Sequence, residues 1–271
     1  MIEPAAIAER MRDAYARRVF IPQPSTSDTG FDLAAAYDVE RELVRLRGLD
    51  GHCPVGVKVG FANKAVWRAL KLDTLVWAHM YDDTVQLSSG SSGSLGISRF
   101  IAPRIEPEIV FKLRTTLAPG LDAAAALASV EWIALGFEII DCAFPDWKFQ
   151  PADFVAAFGL HAGLVVGQPR QVAADSIPEL LEALPRFRVQ LRRSDVVVAE
   201  GSGKNSLRSP ALCIAELATA MAARPDAEGL GAGTLISSGT LTESQPIAAG
   251  ETWTAIVDGL DLAPVTLHTT A

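Results

Sequence analysis

The chain has 271 residues, 49% of them apolar, and 32 acidic side chains against 24 basic ones give a formal charge of −8. This composition buries a large core and excludes disorder as the ordinary state. There is no basic stripe interleaved with aromatics to follow a phosphate backbone, and no apolar run nears the ~20 residues of a membrane span, so neither nucleic acid nor membrane is an expected partner.

The opening stretch, MIEPAAIAERMRDAYARRV, is charged throughout at helical spacing. It predicts an amphipathic helix over 3–19 and no export signal. A second helix is expected from Phe31, with Gly48 as its stop. Residues 1–54 thus read as a helical N-terminal extension packed on a catalytic unit of residues 55–271. VGVKVGF (55–61) reads as a strand that delivers Lys58 and Phe61 to a glycine-rich end. QLSSGSSGSLGIS (86–98) is flexible by composition, either a surface loop or a lid. Strands are expected at 105–113, 134–142, 161–167, 187–200, 233–242 and 252–268, and helices at 121–132, 152–158, 175–183 and 209–223. The class is strand-rich α+β rather than a regular βαβ alternation. Cys53, Cys142 and Cys213 are widely spaced and form no C-x-x-C pair. They fit reduced thiols in a cytoplasmic protein.

Several common sites are absent: G-x-S-x-G, H-E-x-x-H, and G-x-G-x-x-G after a strand. GSGKNS (201–206) looks like part of a phosphate loop, but Val198 stands where the first glycine belongs and Asn205 where Ser or Thr belongs.

APRIEPEIVFKL (102–113) places Glu106 and Glu108 two residues apart in a strand-like run. Side chains at i and i+2 share a strand face, so two like charges point the same way. Either they decorate a wet face balanced by Arg104 and Lys112, or a cation between them cancels the repulsion. Oxygen-only ligation favours a hard ion, Mg²⁺, Mn²⁺ or Ca²⁺. ALGFEIIDCAF supplies a third carboxylate, Glu138, among apolar neighbours where an unpaired charge is costly, with Asp141 three residues on.

PRIEPEIVFKL, GFEIIDCAF, VGVKVGFANKAV and the closing GTLTESQPIAAGETWTAIVDGLDLAPVTL together resemble the fumarylacetoacetate hydrolase superfamily. The resembling branch contains the 2-hydroxypentadienoate (2-keto-4-pentenoate) hydratases and 4-oxalocrotonate decarboxylases, and the resemblance runs from about residue 30 to the C-terminus. It implies a mixed β-roll with flanking helices, commonly as a homo-oligomer. It also implies that Glu106, Glu108 and Glu138 hold a Mg²⁺ or Mn²⁺ chelating the carboxylate and 2-oxo group of a small 2-oxo acid. Lys58 falls on the family's lysine, in a role of proton transfer or carboxylate binding. Asp141 matches an aspartate supporting the metal ligands, and Thr240, in the G-T-L turn, either lines the substrate pocket or satisfies turn backbone. Asn63 replaces a serine of the lysine motif.

The chain also departs from the family pattern. The A-D-M segment reads WAHMYDD, with His79 in place of the aspartate and Asp82 and Asp83 either orienting it or capping a loop. The D-N-A-S segment is AFGL followed by His161, and Ser209 replaces a histidine. Histidine serves as acid and base near neutral pH, so His79 or His161 is expected as a proton shuttle. Lys204 and Asn205 form a polar, glycine-flanked turn, either a solvent loop or a contact for a distal carboxylate. The expected function is a metal-dependent lyase hydrating a 2-hydroxypenta-2,4-dienoate-type substrate in aromatic catabolism. The alternatives are a 4-oxalocrotonate-type decarboxylase, an acylpyruvate-type C–C hydrolase, or a catalytically weak homologue assembling with a pathway enzyme.

Overall fold

Short runs of β-branched and aromatic residues, punctuated by glycine and proline turns, give fourteen strands among the described residues of the computed structural model, which are 3–88, 90–224 and 228–271. In chain order they are β1 (Pro54–Gly60), β2 (Val76–Tyr81), β3 (Val85–Leu87), β4 (Ser92–Gly96), β5 (Arg104–Leu113), β6 (Val130–Ile140) and β7 (His161–Val166). There follow β8 (Arg170–Gln171), β9 (Arg188–Arg193), β10 (Val196–Ser202), β11 (Leu235–Ser237), β12 (Gln245–Pro246), β13 (Thr252–Asp258) and β14 (Val265–Thr270). The larger sheet runs β2-β1-β11-β5-β6-β7-β3, with β12 adding to β5 and β8 to β6. The smaller runs β10-β9-β13-β14-β4. The pairs β1/β11, β3/β7 and β4/β14 are parallel and the other pairs antiparallel, so both sheets are mixed.

The long central pair β5 and β6 is almost wholly buried, which explains its continuous apolar reading apart from the glutamates. The helices Pro4–Arg17 and Leu33–Leu49 pack on each other and on the helix Pro151–Ala156, and bury Ala8 and Met11 and Val39 and Leu43 respectively. These side chains belong to the same apolar cluster as Ile109, Phe111 and Phe137. The second helix starts at Asp32, whose carboxylate accepts the Ala35 amide at 3.0 Å. The segment between the helices is pinned by Ser25, which donates its amide and hydroxyl to the buried Asp153 at 2.8 and 2.6 Å.

Several expectations need correction. Residues 86–98 are not a loose loop: β3 and β4 occupy most of it, and a Cβ on Gly93 would meet Val165 Cγ1 at 2.7 Å, so this glycine serves packing. Ser89 lies outside the described residues. The runs 187–200 and 252–268 are hairpins, not single strands, turning at Ser194 and Gly259, both at positive φ. The run 233–242 pairs only as β11 and then turns at Gly239, φ +90°. The helix Lys64–Leu70, with Asn63 accepting the Ala65 amide as its cap, and strand β2 were not anticipated.

The glycines of GSGKNS also have a packing reason. A Cβ on Gly201 would lie 1.8 Å from the Leu241 carbonyl oxygen, and one on Gly203 1.7 Å from that of Leu184. Close backbone approach, not phosphate binding, selects glycine there.

Candidate active site

Strand pairing alone brings the three glutamates together. Glu106 on β5 stands directly opposite Glu138 on β6, and Glu108 opposite Gly136. Directly opposed antiparallel side chains lie close on one face, and i, i+2 neighbours share it. One carboxylate oxygen from each of Glu106, Glu108 and Glu138 accordingly lies within 4.8 Å of the other two. Glu108 and Glu138 are fully buried and Glu106 is half-buried.

Each buried glutamate has one oxygen in hydrogen bonds and one that makes none. Glu108 Oε2 accepts from the Ser237 hydroxyl at 2.5 Å and the Gly239 amide at 2.8 Å, while its Oε1 has no hydrogen-bond partner. Glu138 Oε1 contacts His161 Nδ1 at 2.9 Å. Its Oε2 lies 3.0 Å from the Lys58 ammonium without hydrogen-bond alignment. Buried oxygens left without partners are costly and call for an explanation. Two such oxygens beside a third carboxylate, with oxygen donors only, fit a hard divalent cation.

Lys58, itself buried, donates to the Gly159 carbonyl at 3.0 Å and lies 4.9 Å from the Phe154 ring centre. Burial works to lower its pKa, but Glu138, Glu106 and Glu108 outweigh it and hold Lys58 above its ordinary value, as an ammonium. Burial likewise works to raise Glu138, yet Lys58 and His161 hold it below the usual carboxylate range. Glu108 is pushed well up by burial and then by Glu138 and Glu106. Glu106 is pushed up to about 7, first by burial, with Lys58 opposing. Three carboxylates and one ammonium leave the metal-free cluster short of positive charge.

The cluster opens into a cavity of about 530 Å³ lined by Lys58, Phe61, Glu106, Trp147, Phe149, Phe154, Leu160, Lys204, Asn205 and Thr240, among others. Phe61, Trp147 and Leu160 hold left-handed backbone, φ 56°, 56° and 57°, as do the neighbouring Phe158 and Gly159. Non-glycine residues in this region carry strain and gather where a site demands a particular shape.

The cavity brings together Lys58, Phe61, Lys204, Asn205 and Thr240 from the sequence-based set. Asn205 also donates to the Leu241 carbonyl, and the Thr240 hydroxyl donates to that of Thr242, so both are tied to their turns. Asp141 touches none of the glutamates; its carboxylate accepts the amides of Ile101 and Ala102 and so anchors the entry to β5. His161 contacts Glu138 from outside the cavity wall.

His79 is the clear correction. In the β1/β2 register Ala78 faces Lys58, and His79 faces Val57 on the other side of the sheet. There its Nδ1 lies 2.6 Å from buried Glu40 on the helix Leu33–Leu49. Asp82 and Asp83 pair with His52 and Arg47, not with His79. Burial works to lower the His79 pKa, but Glu40 outweighs it and the net direction is up. A raised folded-state pKa gives stability that is complete below the unfolded value of about 6.5 and fades as pH rises through the folded one. The wild-type unfolding midpoint should therefore fall over that window, and Glu40→Gln should flatten the fall in a thermal melt series.

Sequence reasoning missed Ser237, Gly239, Gly159 and Thr84. Only the polar run SSGT after an apolar strand hinted at the first two.

No protein-family model matches the chain. It is 30% identical over 226 residues to the 2-hydroxyhexa-2,4-dienoate hydratase of Comamonas testosteroni, covering 83% of this chain and 82% of that protein. It is 28% identical over 244 residues to a 4-oxalocrotonate decarboxylase of Pseudomonas sp., covering 90% of each. The structure of 4-oxalocrotonate decarboxylase from Pseudomonas putida G7, complexed with magnesium and adipate, matches with a TM-score of 0.87 at 26% identity, covering 98% of this chain and 97% of that one. With an E-x-E strand, a distant glutamate and a buried lysine meeting at one cavity, the chain belongs to the hydratase and decarboxylase branch of the fumarylacetoacetate hydrolase superfamily.

Proposed function

We propose that this protein is a divalent-metal-dependent lyase that hydrates a 2-hydroxypenta-2,4-dienoate-type substrate, the dienol of a small 2-oxo acid. The observation that carries this reading is the oxygen-only cage of Glu106, Glu108 and Glu138, with two buried oxygens that make no hydrogen bond, beside an aromatic-walled cavity that Glu106 and Lys58 line. When bound there, Mg²⁺ or Mn²⁺ supplies Lewis-acid stabilisation of charge developing on the 2-oxo oxygen. Lys58, an ammonium held by Glu138 and the Gly159 carbonyl, stabilises the same charge from the protein side and holds a proton next to it. Phe61, Trp147, Phe149 and Phe154 restrict water around the reacting carbons. Lys204, Asn205 and Thr240 stand where a distal substituent would lie.

A second reading, decarboxylation of a 4-oxalocrotonate-type diacid, is favoured by one feature. Lys204 is exposed at this cavity and has no ion-pair partner among the described residues, as a distal carboxylate would require. The intact cage speaks against a catalytically weak assembly partner. Homo-oligomeric assembly and a cytoplasmic place belong to the same proposal, the latter supported by three free thiols.

The test is loss of dienoate ultraviolet absorbance with Mg²⁺ or Mn²⁺, scored also for CO₂ and for C–C cleavage products. Hydration consumes dienoate with neither by-product; CO₂ release transfers the assignment to the decarboxylase reading. If no 2-oxo acid or dienol reacts and no metal binds, the enzyme assignment fails. Light scattering on the purified chain decides the oligomer.

A further inference from the structure

We propose that His161 is a positioning residue that fixes the metal-facing orientation of Glu138, and that it does not carry protons to substrate. The inference rests on the reading of the cage as a metal site. The His161 side chain is 1% exposed and does not line the cavity that holds Lys58 and Glu106. It borders instead a second cavity, together with Thr84 and Asp141, so the ring stands behind Glu138 and away from the reacting carbons.

Its hydrogen bonds tie the ring at both nitrogens. The Tyr81 amide donates to Thr84 Oγ1 at 3.1 Å. Thr84 Oγ1 lies 2.9 Å from His161 Nε2, and His161 Nδ1 lies 2.9 Å from Glu138 Oε1. The Thr84 hydroxyl also donates to the Tyr81 carbonyl at 2.9 Å, beside the Thr84 amide that the same carbonyl accepts at 3.0 Å. A carboxylate only accepts, so the ring proton that meets Glu138 stands on Nδ1, while Thr84 Oγ1 holds the other ring nitrogen in place. A ring held at one nitrogen and donating from the other to the carboxylate is the arrangement in which an outer partner sets the direction of a metal ligand. The ring itself is held by its backbone: His161 opens β7 directly after Phe158, Gly159 and Leu160, all left-handed. With Oε1 committed to His161, Oε2 is the oxygen left for the cage, and it is the one without a hydrogen-bond partner.

The test is Mn²⁺ titration of the intact chain, reading free Mn²⁺ by electron paramagnetic resonance, beside steady-state turnover. Asparagine places its amide nitrogen near the position of Nδ1, so His161→Asn should keep Mn²⁺ affinity within about 3-fold and keep turnover. His161→Ala should weaken Mn²⁺ by about 10- to 100-fold, and Thr84→Val, which removes the hydroxyl that holds Nε2, by a smaller factor in the same direction. If His161→Ala does not fold, the Asn and Val variants still decide the matter. Undiminished affinity in His161→Ala or in Thr84→Val overturns the proposal. So does a His161→Asn enzyme that binds Mn²⁺ normally but loses turnover, since that assigns the ring to proton transfer. Failure of the wild-type chain to bind Mn²⁺ at all would instead overturn the cage reading beneath it.

Discussion

Glu108→Gln should raise the unfolding midpoint of the metal-free protein and Glu138→Gln should lower it, although both should abolish tight Mn²⁺ binding. The opposite signs follow from the surroundings of two equally buried carboxylates. Burial and two neighbouring glutamates push the Glu108 pKa well up. Its contribution to stability is therefore present below the unfolded carboxylate value and is lost as pH rises toward the folded one. The fold disfavours its charged form, and an amide never carries that charge. The amide oxygen can still accept from Ser237 and Gly239, while its NH₂ faces the remaining carboxylates. A gain of about 1–2 kcal/mol is expected, on the scale of a relieved like-charge contact. Glu138 is held below the usual range by Lys58 and His161 against its burial, so its charge is wanted. Losing it leaves the Lys58 ammonium buried without its ion-pair partner, at a cost of about 3 kcal/mol. Thermal melts with and without Mn²⁺ check both parts: saturation at 100 times Kd should add about 2.7 kcal/mol to wild type and nothing to either variant.

The second large effect is expected at Gly159. Its φ is +59°, and a Cβ there would lie 2.7 Å from Ala78 Cβ and 2.9 Å from Lys58 Cδ. Gly159→Ala therefore strains the backbone by roughly 1 kcal/mol and also drives Lys58 off its path. The Lys58 bond to the Gly159 carbonyl and its contact with Glu138 would both be disturbed. A loss of about 2–3 kcal/mol in stability and of about 100-fold in turnover is expected. Gly229→Ala is the control, because nothing lies within 4 Å of its Cβ position. Adding Ala78→Gly to Gly159→Ala removes one of the two contacts and should restore part of the stability; no recovery would show that backbone strain dominates.

What the sequence disclosed follows from the range of the interactions involved. The glutamate cage was legible because a strand period of two fixes Glu106 against Glu108, and because Glu138 sat in an apolar run where a charge needs a reason. The helical N-terminus was legible from periodicity. His79 was misplaced because WAHMY was not recognised as a strand, and a shift of one residue along a strand exchanges its faces. Ser237 and Gly239 reach Glu108 across about 130 residues of chain, and Thr84 reaches His161 across 77, so no local pattern could pair them. The reason for the glycines of GSGKNS was out of local reach in the same way: it lies in the carbonyls of Leu184 and Leu241.

The left-handed residues around the pocket carry a consequence for how this protein can change. Phe61, Trp147 and Leu160 each hold a conformation that glycine or asparagine adopts more easily. Relief of that strain, roughly 1 kcal/mol at each position, would come only with loss of an aromatic or aliphatic wall from the cavity, and at the buried Leu160 the lost packing outweighs it. At Phe61 and Trp147 durability and turnover are set against each other at the same backbone angles. Hardening the protein without losing its activity therefore means working at a distance, in the smaller sheet or on the outer faces of the helices.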